Sequence, residues 1–364
     1  MKAKQIIAQL EELAPPSLQE SYDNSGIMCG NPDMEVKSAL FSLDCTEEVV
    51  DEAIEKGVEM LICHHPLIFG SLKSISGKNE IERCLIKAIK ADLMIYAIHT
   101  NLDNVINGVN AKIAEKIGLQ NCSILRPMNA QLSKLVFFVP TKQAELVRNA
   151  IFEAGGGEIG NYSHCSFNSE GEGTFKANEA AEPFVGEKGK LHFEKEQKVE
   201  VIFPNYLQSK ILSALISSHP YEEVAYDLYP LNNQWREVGS GMIGELDAPI
   251  PVMDFLKQLK KQLKCDCIRH TKIVKDKIQK VALCGGSGSF LLKDAIRNGA
   301  DVFVSGDFKY HQFFEAENSI MIADVGHYES EQFTPELLKE FLQEKIPNFA
   351  TYLTRTKTNP INYL

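Results

Sequence analysis

An α/β protein built from two related halves, interrupted by a separate α+β segment, is expected from three features of the chain. Strand-like apolar runs alternate with helical spacing toward both ends, the pattern changes in the middle, and the two outer pieces repeat one another. The length of 364 residues exceeds one ordinary hydrophobic core and favours two or three domains. A composition of 44% hydrophobic and 24% charged residues excludes wholesale disorder and collagen-like or low-complexity architectures.

The elements follow in order. Met1–Leu13 mixes apolar residues with Lys2, Lys4, Glu11 and Glu12, the pattern of an amphipathic helix and not of a signal peptide. Ala39–Leu43 is a strand, and Thr46 caps a helix over 46–56 that Gly57 stops. Val58–Cys63 is a second strand, Ile81–Lys90 a helix and Leu93–Ile98 a third strand. Strands alternating with helices imply βαβ units and a largely parallel sheet.

Between Pro127 and Trp235 the order changes. Leu135–Val139, Gly171–Phe175, Lys198–Phe203 and Glu223–Tyr229 are strand-like, while Gln143–Ala154 and Leu207–Ser218 have helical spacing. Strand–helix–strand twice over is the ferredoxin-like pattern. Residues 128–236 are therefore expected as an inserted domain, and residues 1–127 and 237–364 as one discontinuous domain. Past Gly239 the α/β pattern returns. Lys280–Cys284, Val302–Ser305 and Met321–Val325 are strands, and Phe290–Asn298 is a helix ended by Gly299. A last helix spans Pro335–Glu344, with Thr334 expected as its cap.

The repeat lies in these outer pieces. Asp51–Cys63 aligns without gaps with Lys293–Ser305, each a helix, a glycine and a buried strand. The first strand ends in His64-His65-Pro66, and its counterpart in Gly306-Asp307, with His311 a few residues on. Leu93–Ile98 then leads into His99-Thr-Asn-Leu-Asp103, and Met321–Val325 into Gly326-His327-Tyr-Glu-Ser-Glu331. Each later strand thus delivers His-x3-carboxylate at its C-terminal end, where open α/β sheets bind ligands. On a helical turn the two groups share a face; on extended chain they do not. Imidazole and carboxylate together suit Zn²⁺, Mn²⁺, Fe²⁺ or Ni²⁺ better than Ca²⁺ or Mg²⁺. Ligands from both halves would hold two ions roughly 3.5–4 Å apart, a hydrolytic arrangement. His164, His192 and His270 have no such pattern and read as structural. Gly285-Gly286-Ser287-Gly288-Ser289 is either a backbone phosphate cradle or a tight turn lining the cleft, and Asp23-Asn24-Ser25-Gly26 is a capping turn or part of the same cleft.

Charge and cysteine usage bound the rest. Lys and Arg number 38 against 49 Asp and Glu, a net charge of −11. The chain thus lacks the basic footprint of most nucleic-acid binders. Nine cysteines, an odd number lying partly in apolar runs, indicate reduced thiols and a cytoplasmic protein, with Cys265-Asp266-Cys267 an accidental pair. No apolar run approaches the ~20 residues of a membrane span.

Tyr22-Asp23-Asn24, Cys63-His64-His65-Pro66, His99-Thr-Asn-Leu-Asp103, Cys284-Gly285-Gly286, Gly306-Asp307-Phe-Lys-Tyr-His311 and Gly326-His327-Tyr-Glu-Ser-Glu331 resemble the signatures of the NIF-three-like family. Its bacterial members are labelled GTP cyclohydrolase 1 type 2 homologs. The resemblance implies a dinuclear metal site of His64, His65, Asp103, His327 and Glu331, with Glu331 bridging, zinc the foremost candidate metal, and His99 and His311 nearby as proton shuttles. It also implies a toroidal homohexamer. His219-Pro-Tyr-Glu-Glu-Val224 resembles a motif of CutA-like domains, which share the fold of PII signalling proteins; Tyr22 departs from the tryptophan of many family members. The function so implied is metal-dependent hydrolysis of a nucleotide-like substrate. The alternative is a metal- or ligand-responsive regulatory scaffold.

Overall fold

The computed structural model describes Met1 to Leu364 and divides into two compact units, Met1–Pro127 with Arg236–Leu364, and Met128–Trp235.

The larger unit holds two sheets. The strands of the first are β1 (Gly26–Cys29), β2 (Ser38–Ser42), β3 (Met60–Cys63), β4 (Met94–Ala97) and β15 (Ala350–Leu353), ordered β1-β4-β3-β2-β15. Those of the second are β5 (Gln120–Asn129), β10 (Gln234–Pro251), β11 (Arg269–His270), β12 (Lys277–Ser287), β13 (Val302–Gly306) and β14 (Met321–Asp324), ordered β11-β14-β13-β12-β10-β5. The repeat expected from sequence is therefore a repeat of topology. In each half an antiparallel edge strand, β1 or β11, flanks a parallel trio, β4-β3-β2 or β14-β13-β12.

Local chemistry explains the crossovers. Helix α2 (Glu47–Lys56) starts where Thr46 accepts the Val49 N–H and stops at Gly57 in the left-handed region; α3 (Glu80–Lys90) is capped by Asn79. The counterpart of α2 is α9 (Leu292–Arg297), followed by left-handed Gly299. Helices α2 and α3 bury Val49, Val50, Ala53, Cys84 and Ala88 against Leu40, Leu61 and Ile95 of the first sheet. Leu291, Leu292 and Ala295 cover Ala282, Phe303 and Ile322 of the second. Strands covered in this way carry almost unbroken apolar runs, which is why they were legible. Around them lie α1 (Ala3–Leu13), α4 (Thr100–Asp103), α5 (Val109–Ile117), α8 (Val252–Gln262), α10 (His327–Glu331) and α11 (Thr334–Lys345). One expectation fails at α11. Thr334 lies inside the helix after Phe333, and its buried hydroxyl caps nothing. No helix is long and apolar enough to cross a membrane.

The smaller unit runs β6 (Leu132–Pro140), α6 (Ala144–Glu153), β7 (Phe167–Lys176), β8 (Leu191–Pro204), α7 (Gln208–Ser218) and β9 (Tyr226–Leu231). Its sheet is ordered β7-β8-β6-β9 with every pair antiparallel, the ferredoxin-like arrangement. Alternate residues Leu135, Phe137, Val139, Val199, Val201 and Phe203 face Val147, Ile151, Ile211 and Leu215 of the two helices and make a separate core.

The start of the C-terminal segment after β15 is anchored by Glu52. Glu52 accepts hydrogen bonds from the Thr354 and Thr356 hydroxyls at 2.6 and 2.9 Å and from the Arg355 and Thr356 N–H groups at 3.0 and 3.2 Å. Burial raises its pKa, but these donors outweigh it and bring the group from 4.5 down to about 2. The stability it contributes is complete above pH 4.5 and lost as pH falls toward 2. Denaturation midpoints measured across that interval should fall less steeply for Glu52→Gln than for the parent. Identical slopes would contradict this account.

Candidate metal centre

The parallel trios of both halves end at one place. His64 and His65 follow β3, Asp44 follows β2, and His99 precedes α4 just past β4. Asp307 follows β13, and α10 carries His327 and Glu331 just beyond β14. All four imidazoles are anchored through Nδ1. His64 Nδ1–H donates to the Ile98 carbonyl at 2.8 Å, and the Nδ1 atoms of His65, His99 and His327 each lie 2.7 Å from Asp44, Asp23 and Asp307 respectively. That leaves Nε2 of each ring as its inward-facing donor atom, the orientation by which outer carboxylates and carbonyls prepare histidines for metals. The ring centroids of His65 lie 5.0 Å from His64, 5.3 Å from His99 and 5.2 Å from His327.

Two carboxylates complete the centre. Glu331 Oε2 is 3.0 Å from both His65 Nε2 and His327 Nε2, which are themselves 3.3 Å apart. His64 Nε2 and Asp103 Oδ1 stand 3.6 Å apart, too far for a good hydrogen bond, and each is buried without a partner. Buried polar atoms are nearly always paired, so two orphans facing each other mark a position suited to a cation. Three overlapping groups could hold an ion: His64, His65 and His99; His65, His327 and Glu331; and His64, Asp103 and Glu331.

The electrostatics are those of a donor set. Burial pushes His64 down to about 3, so its imidazole is neutral. Burial also acts to lower His65 and His327, but Asp44 and Glu331 raise the first to about 10, and Glu331 and Asp307 raise the second to about 9. Burial and the charge of Glu331 hold the Asp103 carboxyl well above its usual range. Burial opposes ionisation of Glu331 too, but His327 and His65 hold it far below. Asp23 is likewise held down, against burial, by His99 and Thr100.

The structure brings together all five residues expected as ligands, and His99, expected as a nearby shuttle, joins them as a sixth possible donor. His327 and Glu331 share a helical face, as i and i+4 require. His99, however, precedes α4 with non-helical backbone, so it joins His64 and His65 while Asp103 joins His64 and Glu331. His311 is exposed, with its ring against Tyr310 and Phe314, outside this cluster. Asp44 is not marked by any motif in the sequence, although it occupies the position beyond β2 that His65 occupies beyond β3. Asp23 settles into both of its readings, since it accepts the Thr100 N–H at 3.0 Å and anchors His99. The glycine-rich run is a turn lining the cleft. The N–H groups of Gly285, Gly286 and Gly288 already donate to Asn110, Ser330 and Ser305. Cys265 and Cys267 lie outside every candidate ligand group.

The cavity beside these groups measures about 480 Å³ and is rimmed by Tyr22, Phe69, Phe290 and Tyr328. Gly286, between the lining residues Gly285 and Ser287, has φ +57°, and an added Cβ there would stand 2.4 Å from Glu331 Oε1. Gly286→Ala should therefore displace Glu331 and destabilise the fold by more than about 1 kcal/mol. An unchanged melting temperature in calorimetry would contradict that contact.

Comparison with known proteins agrees with this fold. Residues 1–360 match the model of the Duf34/NIF3 (NGG1p interacting factor 3) family. The GTP cyclohydrolase 1 type 2 homolog of Halalkalibacterium halodurans is 41% identical, covering 99% of this chain and 98% of its own. That of Bacillus subtilis is 37% identical, covering 100% and 99%. The Bacillus cereus protein related to NIF3 superposes with a TM-score of 0.87 at 39% identity, covering 100% of this chain and 99% of its own. With a family model spanning nearly its whole length, the chain belongs to the Duf34/NIF3 family.

Proposed function

We propose that this protein is a metal-dependent hydrolase of nucleotide-like substrates, holding two divalent ions through His64, His65, Asp103, His327 and Glu331. The observation that carries the reading is the orphaned pair His64 Nε2 and Asp103 Oδ1 beside a Glu331 carboxylate shared by two imidazoles. Nitrogen and carboxylate donors in this ratio favour zinc, with iron, manganese and nickel chemically acceptable. Bound there, the ions would supply Lewis-acid polarisation and a lowered pKa for water. The names of the relatives, GTP cyclohydrolase 1 type 2 homolog, point the same way.

The remaining chemistry belongs to the side chains. Asp23 fixes His99 with Nδ1–H outward from the centre, so Nε2 is free to take a proton from a reacting group and return it. Tyr22, Phe69 and Phe290 offer ring faces to a planar base. No lysine or arginine lines the cavity, so phosphate charge would have to be met by the ions themselves. That same absence favours a second reading, a metal-responsive scaffold without turnover. We further assign the protein to the cytoplasm as a homohexamer, an assembly that native mass spectrometry would test.

Three measurements bear on this. Metal-loaded protein should hydrolyse at least one member of a nucleotide panel that includes GTP; no turnover across the panel would leave the scaffold reading. His64→Ala and Glu331→Ala should each lose bound metal in elemental analysis, and unchanged content in both would overturn the ligand assignment. Because His65 and His327 hold protons up to about pH 10 and 9, metal binding at pH 7.5 must displace them. Calorimetry in buffers of different ionisation enthalpy should show net proton release, and none would contradict the donor set.

A further inference from the structure

The smaller unit has a cavity of its own, about 610 Å³ in volume, within the usual range for small-molecule sites. It lies on the sheet face away from α6 and α7. The two-residue period of β8 sends Val199 and Val201 into the core and Glu196 and Lys198 to the other face. Room there comes from Gly171 and Gly173 of β7; a Cβ at Gly173 would stand 2.1 Å from Glu196 Oε2.

The walls combine two features that attract the same ligand. Phe175, Phe184 and Tyr221 present aromatic rings, with Tyr221 6.2 Å from Phe175 and 6.3 Å from Phe184 between centroids. Among them lies Glu196, only 8% exposed, whose carboxylate accepts one hydrogen bond, from the Tyr221 hydroxyl to Oε1 at 2.8 Å. Glu170, Glu172, Glu222 and Glu223 surround the mouth, and the one cationic wall residue, Lys198, is paired with Glu200 at 2.7 Å. His219 donates from Nε2 to the Phe138 carbonyl and accepts the Tyr221 N–H at Nδ1, which sets the turn that carries Tyr221.

We propose that this cavity binds a small organic cation, an alkylated ammonium seated against the wall formed by the Phe175, Phe184 and Tyr221 rings with its charge toward Glu196. Ring faces attract a cation through their quadrupole, and a carboxylate that is nine-tenths buried with a single donor gains from a counter-charge. An anionic or phosphorylated ligand would meet five carboxylates. A neutral apolar ligand would leave Glu196 uncompensated.

Choline and its uncharged isostere 3,3-dimethylbutan-1-ol, titrated into the full-length protein by ligand-observed NMR, separate these cases. Choline should saturate, and the alcohol should bind at least about tenfold more weakly. Glu196→Gln and Tyr221→Leu should each weaken choline at least about fivefold at an unchanged melting temperature, while His64→Ala leaves it intact. Equal binding of both probes, no saturable choline binding, or full retention in Glu196→Gln would overturn the proposal. Should Tyr221→Leu unfold, Glu196→Gln alone decides.

Discussion

The Glu331 carboxylate is the contact on which the outer unit depends. It is 3% exposed and lies 3.0 Å from one imidazole of each half, His65 beyond β3 and His327 beyond β14. A buried carboxylate without partners would be strongly destabilising, so this position requires both halves to be present and in register. Gly286 yields the space for its Oε1, and Ser330, one residue away, takes the Gly286 N–H. Strand end, helix and turn are thus bound to one another through a single charged group.

Around that group, preparation matters more than the donors themselves. Each histidine is fixed by a different outer partner, and those partners come from different elements: Ile98, Asp44, Asp23 and Asp307. Asp44 is in turn held by the Thr358 hydroxyl, so the segment after β15 reaches the centre through one intermediate carboxylate. This makes the C-terminal residues part of the site's support, and Asn359 and Ile361 also line its cavity.

Much of this was legible beforehand for a simple reason. Buried parallel strands need apolar runs, crossover helices need caps and glycine stops, and both leave marks within a few residues. The gapless match of Asp51–Cys63 with Lys293–Ser305 became the equivalent trios β4-β3-β2 and β14-β13-β12. What escaped notice was non-local or weakly patterned. The edge strand β11 has two residues, β5 and β10 have no regular alternation of buried and exposed residues, and Asp44 is one carboxylate in a stretch of polar residues. Thr334 was misread because a threonine before proline resembles a cap, whereas its hydroxyl lies buried in the first helical turn.

By itself the sequence determined the alternation of elements, the duplicated half, the inserted β-α-β-β-α-β order and the residue types that meet at the strand ends. These are local or repetitive properties, encoded in period, stop signals and short motifs. Only the tertiary structure decided which donors converge into one group. His99 and Asp103 are four residues apart yet fall into different groups, because a single non-helical residue turns one away from the other. It also decided that His311 stands outside, that Asp44 stands behind His65, and that the glycine run makes space for Glu331 without cradling a phosphate. Ligand sets depend on distances between atoms hundreds of residues apart, 266 in the case of His65 and Glu331, and no spacing within the chain specifies those.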